Sequence, residues 1–377
     1  MIRTLEGSKA IAESVVNCKP DVVACYPITP TTHVAEALDK AFVNGRIKKF
    51  IATESEFTSI SAILGATAAG SRAFSTTSSQ GLLLMHEVLF TAAGMRLPLV
   101  MFVGNRAVSA PLNIWNDEQD SVSQRDCGWI QLYCESIQEA VDSIPQAYKI
   151  AEKTLLPVMV CGDGHYLTHV VGQVDIPSEK ETSDFLPEFK PKLKLDPQNP
   201  VSLGVYANPS CYQEFRQDLD NDLRASREVI KRVGAEWNEK FKRAYGLIDA
   251  FQTKDADRIL VSMGSITPSM RAVANELRAK GEKVGVLRVR SFRPFPSKEV
   301  RDELEDKTIG VFEKALSLGS AAPLYAEVAE ALRDTNAIIS SFVGGLGGRE
   351  VTRGDIRYMF DRLKGGNEVK EFVSVRK

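Results

Sequence analysis

Cys25-Tyr26-Pro27-Ile28-Thr29-Pro30-Thr31-Thr32, Thr53-Glu54-Ser55-Glu56, Thr77-Ser78-Ser79-Gln80-Gly81 and Gly104-Asn105-Arg106 are four polar blocks within one stretch of the chain. Each follows an apolar run that reads as a strand, at 21–25, 50–53, 73–76 and 97–103, and three lead directly into a helical pattern. The run Leu97–Val103 is continuously apolar, as a strand buried on both faces of a parallel sheet must be. In an open parallel sheet ligands bind at the strand ends, where loops converge and helix N-termini offer free N–H groups. Four polar loops are therefore expected along one edge of one sheet.

The same alternation extends outward. Helices are predicted over 8–17, 32–42, 57–69 and 82–95, then a helix over 136–152 and a strand at 157–161. Between them Ala110-Pro111-Leu112-Asn113-Ile114-Trp115-Asn116-Asp117-Glu118-Gln119-Asp120 is polar and turn-rich; its length marks a functional loop, and Ile114 and Trp115 favour order. From about 175 to 200 Pro, Glu, Lys and Asp replace the periodic pattern, which reads as an extended connector. A long charged helical pattern covers 212–251. A second alternating unit follows, with strands at 258–261, 284–288, 308–312 and 337–343 and helices at 269–280 and 322–332. The expected fold class is α/β, with two doubly wound parallel-sheet domains. The expected division is 1–175, a connector with a long helix at 176–255, and 256–377.

With 377 residues, two cores are the natural expectation. A net charge of −2, with basic residues scattered along the chain, excludes a polyanion-binding role. No apolar run approaches the ~20 residues of a membrane span, and the N-terminus lacks a signal-peptide core. No nucleic acid, no membrane and a cytoplasmic location are the expectations. The six cysteines include no Cys-x-x-Cys, so neither an iron–sulfur cluster nor a structural metal is expected on this chain alone.

Individual residues admit two readings each. Glu54 and Glu56 stand where a helix starts, and charge complementarity to the helix end accounts for them without function. Alternatively Glu56 is a buried carboxylate among small residues, able to share a proton with the ring nitrogen of a flat cofactor. Thr29, between two prolines, is either a helix cap or a hydroxyl aimed at a ligand. Arg106 ends a buried strand and needs a partner: Asp117, Asp120 or a substrate carboxylate. His165 and His169 have i, i+4 spacing, and structural roles are favoured for them. Gly344-Gly345-Leu346-Gly347-Gly348 lacks the third glycine of a dinucleotide fingerprint, so a flexible interdomain or subunit contact is expected. Gly162-Asp163-Gly164 resembles the opening of the magnesium and diphosphate site of thiamin-diphosphate (ThDP) enzymes. The oxygen ligand needed a helix further on is missing, because the next Asn is Asn199. It reads as a turn.

Together these blocks resemble the α subunit of the 2-oxoacid:ferredoxin oxidoreductases, most closely the pyruvate branch. The matching residues are 7–13, Tyr26-Pro27-Ile28-Thr29-Pro30, Ser55-Glu56, 77–83, Asn105-Arg106-Ala107, 109–117, Gln124-Arg125-Asp126 and Ser291-Phe292-Arg293-Pro294-Phe295-Pro296. The resemblance implies a first domain binding the aminopyrimidine half of ThDP and a second like the C-terminal domain of transketolase. It implies Glu56 at the pyrimidine N1′, Pro27 and Ile28 beside the cofactor, Thr29 hydrogen-bonded to the 2-oxoacid and Arg106 on its carboxylate. It places the diphosphate, Mg2+ and the nearest [4Fe-4S] cluster on a partner β subunit. CoA handling and further clusters fall to γ and δ subunits, with ferredoxin as acceptor. Members of the pyruvate branch usually carry a Leu-Asp-Gly-Phe-type sequence where this chain has Gly162-Asp163-Gly164-His165, which leaves a branched-chain, oxalate or aryl 2-oxoacid open. Ser79-Gln80-Gly81 departs from the Gly-Pro-Gly of 2-oxoglutarate relatives and argues against that substrate. A non-catalytic scaffold chain and a free-standing nicotinamide dehydrogenase are the alternatives; retained Glu56 and Arg106 oppose the first, and the failed glycine fingerprint opposes the second.

Overall fold

Val100–Asn105, buried along its whole length, is the middle strand of a seven-stranded sheet in the computed structural model, which describes residues 2–376. The strand order is Ser291–Arg293, Ile130–Cys134, Val158–Asp163, Val100–Asn105, Ala73–Thr77, Val22–Cys25 and Lys49–Ala52. Every neighbouring pair is parallel except the first, which is antiparallel. The parallel α/β class read from the apolar runs is therefore present. Its chemistry is visible at Ser55, which caps the helix Glu56–Ala68 by accepting from the Thr58 N–H at 3.3 Å, so that Glu56 is the first helical residue.

A second sheet of six strands runs Lys370–Phe372, Ile338–Val343, Thr308–Glu313, Arg258–Ser262, Val284–Val289 and Ile248–Phe251, with only the last antiparallel. Ile2–Glu6 and Val171–Asp175 form an antiparallel pair of their own.

Several expectations change. The charged pattern over 212–251 is a helix only from Tyr212 to Phe241; Lys242 takes a left-handed φ of 58° that ends it, and Ile248–Phe251 becomes an edge strand. The helix expected at 82–95 starts earlier, at Ser79, and is two helices, Ser79–Leu84 and His86–Gly94. Ile130–Cys134 was hidden because the buried polar Gln131, which donates to the Ser121 carbonyl at 2.7 Å, interrupts its apolar run. The strand Ser291–Arg293 leaves the second unit to extend the first sheet.

The two sheets are joined by buried ion pairs. Glu139, in the helix Ile137–Thr154, meets Arg288 at 2.5 Å and Arg290 at 2.9 Å, and all three side chains are almost entirely buried. Removing one member of such a group leaves an uncompensated buried charge and costs about 3–5 kcal/mol.

Candidate active site

The loops after Val22–Cys25, Val100–Asn105 and Val158–Asp163 close on one another at the carboxyl ends of their strands. Gly164 donates its N–H to the Asn105 carbonyl at 2.9 Å, and an added Cβ there would stand 2.5 Å from that oxygen and from Pro30 Cγ. Only a glycine permits this approach. Gly104 is equally constrained by Thr31, whose Cγ2 an added Cβ would meet at 2.6 Å.

Arg106 sits at the meeting point. Its guanidinium donates from Nη1 to the Thr29 carbonyl and from Nε to the Asn113 carbonyl, each at 3.0 Å. Arg106 is only 7% exposed, yet no described carboxylate forms an ion pair with it. Asp117 and Asp120, the internal partners that spacing allowed, are engaged elsewhere. Asp117 accepts from the N–H groups of Gln119 and Gly347, each at 3.0 Å. Asp120 accepts the backbone N–H of Arg106 at 3.0 Å, not its guanidinium. Burial with too little compensating charge lowers the Arg106 guanidinium from its ordinary value.

Asp120 is a hub that sequence reasoning missed as such. It also accepts from Ser79 N at 2.8 Å, Asn105 Nδ2 at 2.8 Å and Ser121 N at 2.7 Å, so it binds two of the four polar loops together. Burial pushes its carboxyl up to about 7 despite these donors.

Thr29 is half-buried and does not cap the following helix; that position belongs to Thr31, whose hydroxyl donates to the Ile28 carbonyl at 3.0 Å. Ile28 is half-buried and Pro27 exposed beside it.

Glu56 is 6% exposed, and no described residue forms a hydrogen bond or ion pair with its carboxylate. Gly81 lies flush against it: a Cβ on Gly81 would stand 2.5 Å from Glu56 Oε1 and 2.6 Å from Thr77 Oγ1. The Thr77 hydroxyl is itself buried without a partner. A carboxylate with no partner among the described residues, beside a buried hydroxyl left unsatisfied, on a floor without side chain, suits a flat polar ring. Glu54, by contrast, is exposed and bonded to Thr58.

Gly162-Asp163-Gly164 is a turn only in part, because Gly162 and Asp163 finish the strand. Asp163 is buried and its oxygens are taken: Lys314 Nζ and Asn116 Nδ2 reach Oδ1, and Ser265 N reaches Oδ2 at 2.7 Å. Burial alone would raise its carboxyl, but the Lys314 ammonium overrides it and holds Asp163 below the usual range. Lys314 escaped notice in the sequence although, like Arg106, it is a cation directly after a buried strand. Glu118 shares the cluster, 3.8 Å from Lys314 Nζ, and burial pushes it up to about 8. No group of three potential ligands able to hold a metal occurs among the described residues.

The glycine loop is an interdomain contact. Gly347 O accepts from Asn113 Nδ2 at 3.1 Å, Gly348 N donates to Asn116 O at 2.7 Å, and an added Cβ on either glycine would collide with Asn113 or Trp115. These bonds tie it down where flexibility was expected. The loop that carries Asn113 and Asn116 is thus held from the unit of the second sheet.

The chain is thus a parallel α/β protein that carries at its strand ends a carboxylate and a guanidinium, neither of them in an ion pair with any described residue. Residues 13–235 match the family model described as pyruvate flavodoxin/ferredoxin oxidoreductase, thiamine diP-bdg, and residues 256–356 match that of pyruvate:ferredoxin oxidoreductase core domain II. The chain belongs to the pyruvate flavodoxin/ferredoxin oxidoreductase family. It is 44% identical to pyruvate synthase subunit PorA of Methanothermobacter thermautotrophicus, over 97% of this chain and 96% of that one. It is 38% identical to ketoisovalerate oxidoreductase subunit VorA of Pyrococcus horikoshii, over 96% and 93% respectively. Among solved structures, 2-oxoglutarate:ferredoxin oxidoreductase from Magnetococcus marinus superposes with a TM-score of 0.73 at 19% identity, covering 96% of this chain and 65% of that one. A split-gene transketolase gives 0.56 at 12% identity. At these identities the two structures speak for the fold, which the family's ThDP-type domains share.

Proposed function

We propose that this chain is the α subunit of a ThDP-dependent 2-oxoacid:acceptor oxidoreductase that converts a 2-oxoacid and CoA to acyl-CoA and carbon dioxide, with pyruvate the favoured acid. Electrons pass to ferredoxin through iron–sulfur clusters on partner subunits. The observation that carries this reading is the Arg106 guanidinium, buried and held by two carbonyls, with no ion-paired carboxylate among the described residues. A buried cation in that state is costly, and a planar carboxylate accepting two of its N–H groups completes it.

ThDP, when bound, supplies the carbon nucleophile and the electron sink for decarboxylation. Glu56 would hold a proton at the pyrimidine N1′, beside the Thr77 hydroxyl. Pro27 and Ile28 would flank the ring, and the Thr29 hydroxyl and Arg106 would orient the acid, which lowers the entropy cost of reaching the reactive geometry. Asp163 is committed to Lys314, which favours a magnesium and diphosphate site on a partner β subunit. Further γ and δ subunits would complete the complex. The division at 1–175, 176–255 and 256–377 is proposed as the functional one, with Ser291–Arg293 crossing it.

Greater identity to the PorA proteins, 44% against 38% for VorA, favours pyruvate over a branched-chain acid. The test is to purify the chain with its natural partners and measure carbon dioxide release and viologen reduction with a panel of 2-oxoacids plus CoA. Pyruvate is expected to give the highest kcat/KM. Turnover of no 2-oxoacid would refute the proposal.

A further inference from the structure

Three of the chain's four histidines, none of which enters the site described so far, stand together. His165, His169 and His33 line up in one row with Trp115. Ring centroids are 4.8 Å apart for Trp115 and His165, 4.8 Å for His165 and His169, and 5.1 Å for His169 and His33. One end of the row stands on the loop that holds Arg106 through the Asn113 carbonyl. The other end stands on the helix Thr32–Val43, which begins three residues after Thr29, and His33 Nδ1 there meets Glu6 Oε1 at 2.5 Å. The row therefore spans both sides of the Thr29–Arg106 clamp.

His165 is its fixed point. Its Nε2 lies 2.9 Å from the Ile114 carbonyl; a carbonyl can only accept, so Nε2 carries the hydrogen. The backbone N–H of His165 donates to Thr168 Oγ1 at 2.9 Å, and its carbonyl accepts from His169 N at 3.0 Å. These bonds hold His165 at a φ of 64°, a left-handed conformation that a side-chain-bearing residue keeps only when its surroundings enforce it.

The loop needs such an anchor at this point. Its ends are secured by Ala107 N to Trp115 O at 3.0 Å and by Asn113 and Asn116 to the glycine loop of the second domain. Its crest is exposed: Leu112 is 78% and Ile114 42% accessible. The Ile114 peptide, adjacent to the Asn113 carbonyl that receives Arg106 Nε, is held by His165.

We infer that His165 is a positioning residue of the substrate clamp: by donating Nε2–H to the Ile114 carbonyl it fixes the Asn113 carbonyl and with it the aim of the Arg106 guanidinium. The inference rests on the proposed function for the identity of the clamped ligand. Losing one such hydrogen bond is worth severalfold in binding, so His165→Phe, which keeps a ring in the row and removes the donor, is expected to raise the KM for the 2-oxoacid about fivefold. The kcat should stay within about twofold, because Glu56 and the cofactor are untouched.

The experiment uses the assembled complex with His165→Phe and His165→Gln, the latter returning an N–H donor at similar reach. Steady-state kinetics should show a raised KM for the first and a near-normal KM for the second. Hydrogen exchange of the segment 107–116, read by mass spectrometry without substrate, should quicken in His165→Phe alone. Unchanged exchange in His165→Phe overturns the anchor whatever the enzyme acts on. Quickened exchange with an unchanged KM, or an equal KM defect in both variants, overturns the clamp role. A wild-type complex that turns over no 2-oxoacid instead overturns the proposed function, and the clamp role falls with it.

Discussion

Arg106 Nη1 donates to the Thr29 carbonyl at 3.0 Å, joining two loops that lie 77 residues apart in the chain. Arg106→Ala removes the guanidinium from that junction and the link between its loops. The expected result is a KM for the 2-oxoacid raised by about 100-fold, the scale on which a charged hydrogen-bonded pair contributes. Arg106→Lys keeps the charge but not the fork, and should recover only part of the loss. If steady-state kinetics show an unchanged KM and only the melting temperature falls, the carboxylate clamp is wrong.

Glu56→Gln replaces the unpaired buried carboxylate by an amide of the same shape. Turnover by the assembled complex should drop by about 1,000-fold or more, as expected for loss of a proton-holding group at the reactive cofactor, with little change in stability because no protein partner is lost. Near-normal viologen reduction by the variant would remove Glu56 from the mechanism.

Gly81→Ala tests the floor beside that carboxylate. The new Cβ would lie 2.5 Å from Glu56 Oε1 and 2.6 Å from Thr77 Oγ1, so the carboxylate must move toward the space proposed for the ring. ThDP affinity, followed by titration of the apo complex, should weaken by about 10-fold or more, since overpacking a rigid site typically costs 1–3 kcal/mol. An unaltered binding curve would show that the ring does not lie there.

These residues were legible because each sits at the end of an apolar run, where a polar group announces itself. Val100–Asn105 delivers Arg106 in this way, and Val22–Cys25 delivers the Thr29 loop. What stayed hidden depends on pairing across the chain. Asp163 looked like a turn residue because its cation, Lys314, is 151 residues away and follows a strand of the other sheet. Asp120 looked like a side-chain partner for Arg106, whereas its oxygens serve three backbone N–H groups and the Asn105 amide, whose directions no sequence spacing reveals. The strand Ser291–Arg293 was invisible for a similar reason: three residues carry no periodicity, and only their antiparallel fit against Ile130–Cys134 makes them a strand.

Lys314→Met deletes the cation that faces Asp163 and Glu118 between the two sheets. Leaving Asp163 buried and unpaired should destabilise the fold by about 3–5 kcal/mol at pH 7, measured by urea unfolding. The double variant Lys314→Met with Asp163→Asn should recover much of that loss, because the uncompensated charge is gone. Equal stability of the single and double variants would mean that Lys314 matters for packing alone.

Glu118 gives the pH dependence of this interface a definite sign. Burial pushes its carboxyl up to about 8, against an ordinary value of 4.5, so the folded chain keeps a proton that the unfolded chain has released. Between pH 4.5 and about 8 the folded state binds more protons, and its contribution to stability falls as pH rises. Asp120 and Glu313, each pushed up to about 7, act in the same direction. Asp163 has the opposite sign, but Lys314 holds it below its usual range, so its effect appears only in more acidic solution. Glu118→Gln carries no titratable proton and should match the wild type near pH 5. At pH 8 it should be more stable by about 1–3 kcal/mol, the usual cost of a poorly satisfied buried polar group. Melting temperatures of the two proteins across pH 5–8.5 test this: the curves should diverge steadily with rising pH, and a constant separation would show that Glu118 does not titrate within the fold.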